Sequence, residues 1–144
     1  MRRNLIIDTD SYKRTHWLQE KPGMTHRYVY GEPRKGGRYP HISLFGTQMI
    51  AADHFLQPIT KEMIEEAEWR SVTTFGTAKY FNKEVWEKVM KLGYLPIKLM
   101  TAPEGSKIGE GNVCYTIEST RDWFTNTVNA LEPLLMHTWY PTAV

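Results

Sequence analysis

Leu5-Ile6-Ile7-Asp8-Thr9-Asp10-Ser11-Tyr12-Lys13-Arg14-Thr15-His16-Trp17 passes from three apolar residues directly into a cluster of polar and aromatic ones. The apolar run predicts a short buried strand over residues 4–8 that ends at the carboxylates. In α/β proteins, ligands collect outside the carboxyl ends of strands. Two carboxylates, a tyrosine, a lysine and a histidine at one strand exit therefore mark the first candidate site.

Beyond this stretch, Lys21-Pro22-Gly23 reads as a turn, and Arg27-Tyr28-Val29-Tyr30, rich in β formers, reads as a second strand. Pro33 to Pro40 is a loop, in which Gly36-Gly37 gives backbone freedom and Arg34, Lys35 and Arg38 give charge. Phe45, Met49, Ala52 and Leu56 fall at helical spacing, and Pro58 closes that helix. Thr60 is placed to cap a following helix. Glu62, Glu65 and Glu66 in its first turns suit the positive end of the helix dipole, and Met63, Ile64 and Ala67 give it an apolar face.

Asn82 caps a third helix with Val85, Trp86, Val89 and Met90 as its buried stripe and Gly93 at its end. Glu84 with Lys88 and Glu87 with Lys91 form i,i+4 pairs on its outer face. Residues 96–100 predict a strand, Pro103-Glu104-Gly105 a turn, and the alternation of Val113, Tyr115 and Ile117 a half-buried strand. A last helix begins near Asp122, with Phe124, Val128, Leu131 and Leu135 on one face and Pro133 expected to kink it. The mix is α+β. It contains no phosphate loop of the G-x-x-x-x-G-K kind, no repeat and no low-complexity tract.

The chain has 144 residues, 41% hydrophobic and 24% charged, the composition of an ordinary globular domain. Its 18 basic and 16 acidic residues leave a net charge of +2, too small to drive binding to nucleic acid or an anionic membrane. Cys114 is the single cysteine, so no internal disulfide or Cys-rich zinc site exists and a reducing, cytoplasmic setting is expected. Asp8 interrupts the apolar run too early for a signal peptide, despite the basic start Met1-Arg2-Arg3. No run reaches the roughly 18 apolar residues of a membrane span. The apolar, aromatic end Trp139-Tyr140-Pro141-Thr142-Ala143-Val144 calls for a packing partner, and further residues of the same polypeptide would supply one.

Asp10-Ser11-Tyr12-Lys13 followed by Thr15-His16 resembles a segment near the amino terminus of nicotinamide phosphoribosyltransferases. The resemblance continues in order along the chain: Glu32-Pro33-Arg34-Lys35-Gly36-Gly37 is similar to Glu-Ser-Arg-Gly-Gly, Phe45-Gly46-Thr47-Gln48 to Phe-Gly-Leu-Gln, and Ala102-Pro103-Glu104-Gly105 to Val-Pro-Glu-Gly. Phe81-Asn82 with Trp86, Gly111-Asn112-Val113, Thr116-Ile117-Glu118, Leu131-Glu132 and Trp139-Tyr140-Pro141 add further matches. Each motif is moderate alone, and their shared order gives them weight. The chain departs from the pattern at Pro33, Thr47 and Pro133. Gly31 stands in place of a large apolar residue, and Gly109-Glu110 in place of a proline-containing turn.

The resemblance implies the amino-terminal α/β sandwich-like part of a type II phosphoribosyltransferase, residues 1–144 as one domain, without the barrel. The implied reaction joins nicotinamide to phosphoribosyl pyrophosphate. The site would lie at a homodimer interface, with this segment reaching into the partner's site. Tyr12 would stack on the nicotinamide ring, although on the residues alone a partly buried packing tyrosine is the commoner reading. Asp10, acceptor-only when ionised, would take the carboxamide NH₂ and disfavour nicotinate; on spacing alone it is an N-cap. Arg34 would grip phosphate oxygens bidentately, where composition alone reads a solvated turn. The Asp8-x-Asp10 pair could hold a divalent metal, but the better expectation is that no metal or other cofactor binds this chain directly and that Mg²⁺ travels with the pyrophosphate. Its five histidines show no metal-ligand spacing. Glu104 reads as a turn residue and Glu132 as an ordering residue, with no catalytic group assigned.

Two rival readings stay open on the sequence. One is a non-enzymatic module that binds a full-length relative, or an inactive remnant. The other, weaker, is an aromatic binder of single-stranded nucleic acid.

Overall fold

Tyr115 and Ile117 alternate with Thr116 and Glu118, and that alternation builds the centre of the larger sheet. The computed structural model describes residues 4–144; Met1-Arg2-Arg3 lies outside them. Five strands are described: β1 (Tyr28–Gly31), β2 (His41–Ser43), β3 (Ile97–Thr101), β4 (Lys107–Gly109) and β5 (Tyr115–Ser119). β1, β5 and β3 form one antiparallel sheet in that order, and β2 pairs with β4 in a second.

Register sorts the faces of the larger sheet. Val29, Ile117 and Leu99 share a row on the inner face, while Tyr28, Glu118 and Lys98 share one on the outer face. There Glu118 takes Lys98 at 2.9 Å and His26 at 3.2 Å. Hydrogen bonding from Lys98, joined by the charges of both partners, holds the Glu118 carboxyl below its ordinary range.

Gly31 and Tyr115 face each other across β1 and β5. A Cβ on Gly31 would lie 2.3 Å from Tyr115 Cζ. The tyrosine ring therefore occupies the space a side chain at position 31 would need, which accounts for a glycine where the resembled sequences carry bulk.

The helices are α1 (Thr47–Ile50), α2 (Lys61–Phe75), α3 (Lys83–Leu92), α4 (Thr125–Val128) and α5 (Glu132–Met136). Thr60 caps α2 by accepting from Met63 N–H at 3.4 Å, and Asn82 caps α3 by accepting from Val85 N–H at 3.4 Å. Gly76 and Gly93 close these helices with left-handed backbone at φ 73° and 83°, where a Cβ would be strained. Val85, Trp86 and Val89 are buried as expected, and Lys88 meets Glu84 at 2.6 Å. The Glu87–Lys91 pair does not form among the described ion pairs. Asn82→Ala is expected to cost about 1 kcal/mol, the usual value of a lost cap, read as a lower denaturant midpoint with an unchanged slope.

One apolar core joins both sheets to the helices, with Leu44, Ile117, Phe124, Val128 and Leu135 fully enclosed. The expected last helix is two. Pro133 sits in the first turn of α5, where its missing N–H costs nothing, so it starts a new helix rather than kinking an old one. The expected face survives the break: Phe124, Val128, Leu131 and Leu135 are all buried.

The first predicted strand fails. Residues 4–8 form a turn, not a strand. Ile7 and Asp8 N–H both donate to Asn4 O at 3.1 Å, and Ile6 N–H donates to Asn4 Oδ1 at 3.1 Å. The Asn4 amide donates in turn to Met63 O and Glu66 Oε2 on α2. A side chain that offers the backbone local partners competes with a ladder, and Leu5 and Ile6 are buried without one.

The stripe Phe45, Met49, Ala52 and Leu56 points outward, with Phe45 70% and Leu56 78% exposed. α1 continues into a π-turn over Ala51–Phe55. The segment packs instead through Thr47, Ile50 and Phe55. The repeat thus finds a helical segment whose apolar face is left open, on both sides of the point where the π-turn begins.

Candidate substrate-binding site

The polar cluster that follows the Asn4 turn becomes a 3₁₀ segment over Ser11–Gln19. Asp10 occupies its N-cap position with extended backbone, φ −60° and ψ 137°, and its carbonyl accepts from Lys13 N–H at 3.0 Å. Its carboxylate makes no cap hydrogen bond and lies instead beside Tyr12. Hydrogen bonding to Asp10 holds the Tyr12 phenol above its ordinary pKa, reinforced by the charges of Asp10 and Glu132. Tyr12 is 56% exposed, with one ring side tilted against His16 at 5.3 Å between centroids. The result is a half-open aromatic ring beside an exposed carboxylate.

Long-range contacts fix this short segment, which regular helix geometry alone would hold poorly. Lys13 is buried and forms an ion pair with Glu132 at the start of α5. His16 Nδ1 lies 2.8 Å from Asn129 Nδ2, and Trp17 Nε1–H donates to Tyr80 O at 2.9 Å. The Arg14 guanidinium lies over the Phe75 ring at 5.2 Å. Burial, with the nearby charge of Arg70, holds Arg14 below its ordinary pKa. The exposed Asp10 and Tyr12 thus sit on a base anchored to α5, to the residue after α4 and to the end of α2.

Arg34 lies elsewhere, on the loop between β1 and β2. With Glu32, Lys35, Gly36 and Gly37 it lines an open cleft of about 660 Å³, walled opposite by Glu132, Trp139 and Tyr140. Asp10 and Tyr12 adjoin each other, but no described contact joins Arg34 to either. Glu132 links the two regions, since it borders the cleft, pairs with Lys13 and adds its charge to the surroundings of Tyr12. Sequence reasoning passed over Lys13 and Glu132 as a pair; the signal available was a lysine inside a motif otherwise read for its neighbours. Trp139 packs into the core while Tyr140 stays half exposed at the cleft.

Glu104 does more than turn the chain. Its Oε1 accepts from Gln48 N–H at 2.8 Å, in the first turn of α1, whose N-cap Gly46 has no side chain to do so. Cys114 is buried, and burial with the Glu32 charge pushes its thiol up to about 11. That suits packing, not nucleophilic chemistry. Among the described residues, no group of three or more His, Cys, Asp or Glu could hold a metal ion, and no helix is long and apolar enough to cross a membrane.

The fold is therefore an α+β one, two small antiparallel sheets packed with helices, with no barrel among the described residues. Residues 4–99 match the family model described as nicotinamide phosphoribosyltransferase, N-terminal domain, and the chain belongs to that family. It is also 36% identical over 143 residues to a nicotinamide phosphoribosyltransferase of Xanthomonas campestris pv. campestris (strain 8004). That match covers 98% of this chain and 30% of the relative, so the chain spans under a third of the length of the curated protein it matches.

Proposed function

We propose that residues 1–144 form a single amino-terminal domain of an enzyme that transfers phosphoribosyl from phosphoribosyl pyrophosphate to nicotinamide. The products are nicotinamide mononucleotide and pyrophosphate, and the setting is cytoplasmic NAD biosynthesis. The observation that carries this reading is the exposed Asp10–Tyr12 pair on a segment anchored through a buried lysine. Tyr12 offers a π face to the pyridine ring, and the Asp10 carboxylate accepts from the carboxamide NH₂. A carboxylate at that point repels nicotinate, so the pair favours the amide.

In this mechanism the pyridine nitrogen attacks the anomeric carbon as pyrophosphate leaves, through a transition state of oxocarbenium character. The rate depends on alignment of the two reactants and on stabilisation of the leaving diphosphate. This chain contributes the ring platform, the amide acceptor and, through Arg34, one phosphate grip, but no nucleophile and no general acid. Magnesium would arrive with the diphosphate as part of the substrate. The separation of Asp10 and Tyr12 from Arg34 fits a homodimer in which one chain completes another's site.

The test is steady-state kinetics of mononucleotide formation by the protein at its native length. Tyr12→Ala should raise KM for nicotinamide about tenfold or more, the scale of a lost aromatic stack with its buried area. Unchanged kinetics in that variant would remove the assignment.

A further inference from the structure

Two consecutive residues hold the Arg34 loop at three points. Pro33 O accepts from Gly111 N–H at 2.8 Å, and Pro40 O accepts from Glu110 N–H at 3.2 Å. Gly37 N–H, at the tip, donates to Glu110 Oε1 at 2.9 Å. The first two bonds run from backbone to backbone and suit almost any side chain at position 110. The third places a carboxylate on the tip of a loop that also carries Arg34 and Lys35. Gly37 is exposed, so water could satisfy its N–H and the fold itself requires no negative charge there.

A backbone N–H that donates to a carboxylate oxygen would donate to a phosphoryl oxygen by the same charge-assisted bond. The lysine stem lies close by, with Lys35 Cε 3.6 Å from where a Cβ on Gly111 would stand. Glu110 also belongs to the stretch in which this chain departs from the resembled pattern, so the arrangement is a feature of this sequence.

We propose that the Glu110 carboxylate is an internal stand-in for a phosphoryl oxygen: it occupies Gly37 N–H in the free protein, and a diphosphate must displace it. This rests on the reading of Arg34 as a phosphate grip. Glu110 then sets the affinity of the cleft for diphosphate below what Arg34 and Lys35 would give without it. Weaker retention of a diphosphate product follows.

Glu110→Gln tests this directly. Glutamine keeps an oxygen for Gly37 N–H and both backbone bonds, and removes only the charge. Inorganic pyrophosphate is titrated calorimetrically into the native-length protein, its Glu110→Gln variant and its Arg34→Ala variant, with the Gly37 amide followed by NMR. Glu110→Gln should bind pyrophosphate about three- to tenfold more tightly, the scale of removing one like charge in a partly solvated site. The Gly37 amide resonance should shift on saturation. Equal or weaker binding by Glu110→Gln overturns the proposal while leaving the phosphate reading intact, provided Arg34→Ala binds more weakly than wild type. Unchanged binding by Arg34→Ala overturns the phosphate reading and the proposal with it. Absence of binding to both wild type and Glu110→Gln overturns both.

Discussion

Gly31→Ala should destabilise this protein by about 3 kcal/mol, at the upper end of what overpacking costs. The added methyl would fall 2.3 Å from Tyr115 Cζ and 2.6 Å from both Cε1 and Oη of the same ring. These atoms cannot swing aside, because Tyr115 is 1% exposed at the centre of the sheet. Gly31 is not among the glycines with positive φ, so the effect is steric and not conformational. A partner substitution separates these causes. Tyr115→Leu alone should itself be destabilising, by about 2–4 kcal/mol for a lost buried ring. The double variant Gly31→Ala/Tyr115→Leu should lose less than the sum, since the clash is gone. Urea unfolding of the four proteins reads the coupling directly, and strict additivity would refute the steric account.

Glu132→Ala should cost about 3–5 kcal/mol, the range for a buried charge deprived of its partner. Lys13 has a side chain only 8% exposed, and Glu132 is its ion-pair partner. Lys13→Met should be milder, because the carboxylate left behind is 21% exposed and reaches water at the cleft. The pair replaced together by Lys13→Met/Glu132→Leu should recover most of the stability, since apolar substitutes avoid desolvating two charges. Thermal unfolding should place Glu132→Ala roughly 10 °C below wild type for a domain of this size. A Glu132→Ala protein as stable as wild type would mean that the pair contributes nothing. The same variant carries a second readout at Tyr12. Without the Glu132 charge the phenol should titrate at lower pH, although Asp10, the larger cause, still holds it above the ordinary value.

The fold was legible where periodicity and capping agreed. Thr60 and Asn82 cap the helices they precede, and the alternation around Tyr115 and Ile117 marks the central strand. Local rules lost where a side chain rewrote the backbone's choices. Asn4 folds Leu5-Ile6-Ile7 into a turn that hydropathy alone cannot distinguish from a strand. Helical spacing marked the segment around α1 but not which way its apolar side chains face, and Phe45 and Leu56 are both exposed. β2 and β4 have three residues each, too few for any pattern, and exist because each finds the other across a long separation. The candidate site was legible as a set of residue types, not as an arrangement. Asp10 and Tyr12 lie two residues apart, so their proximity follows from the sequence itself. Their dependence on Lys13 and Glu132, and the hold of Glu110 on the Arg34 loop, are contacts between distant residues that no local motif encodes.

The order β1-β5-β3 governs how the chain must be made. β5 is the strand to which both neighbours bond, and it is the last of the five in sequence. As the polypeptide leaves the ribosome, Tyr28–Gly31 emerges early and waits on the order of ten seconds for Tyr115–Ser119 at ordinary synthesis rates. During that interval neither β1 nor β3 has its ladder, and their apolar residues stand open to other chains. α2 and α3 can close on local contacts, but the sheet cannot be nucleated from its amino-terminal side. A ribosome stalled near residue 110 would therefore carry helices without a sheet, a species suited to chaperone capture until β5 arrives.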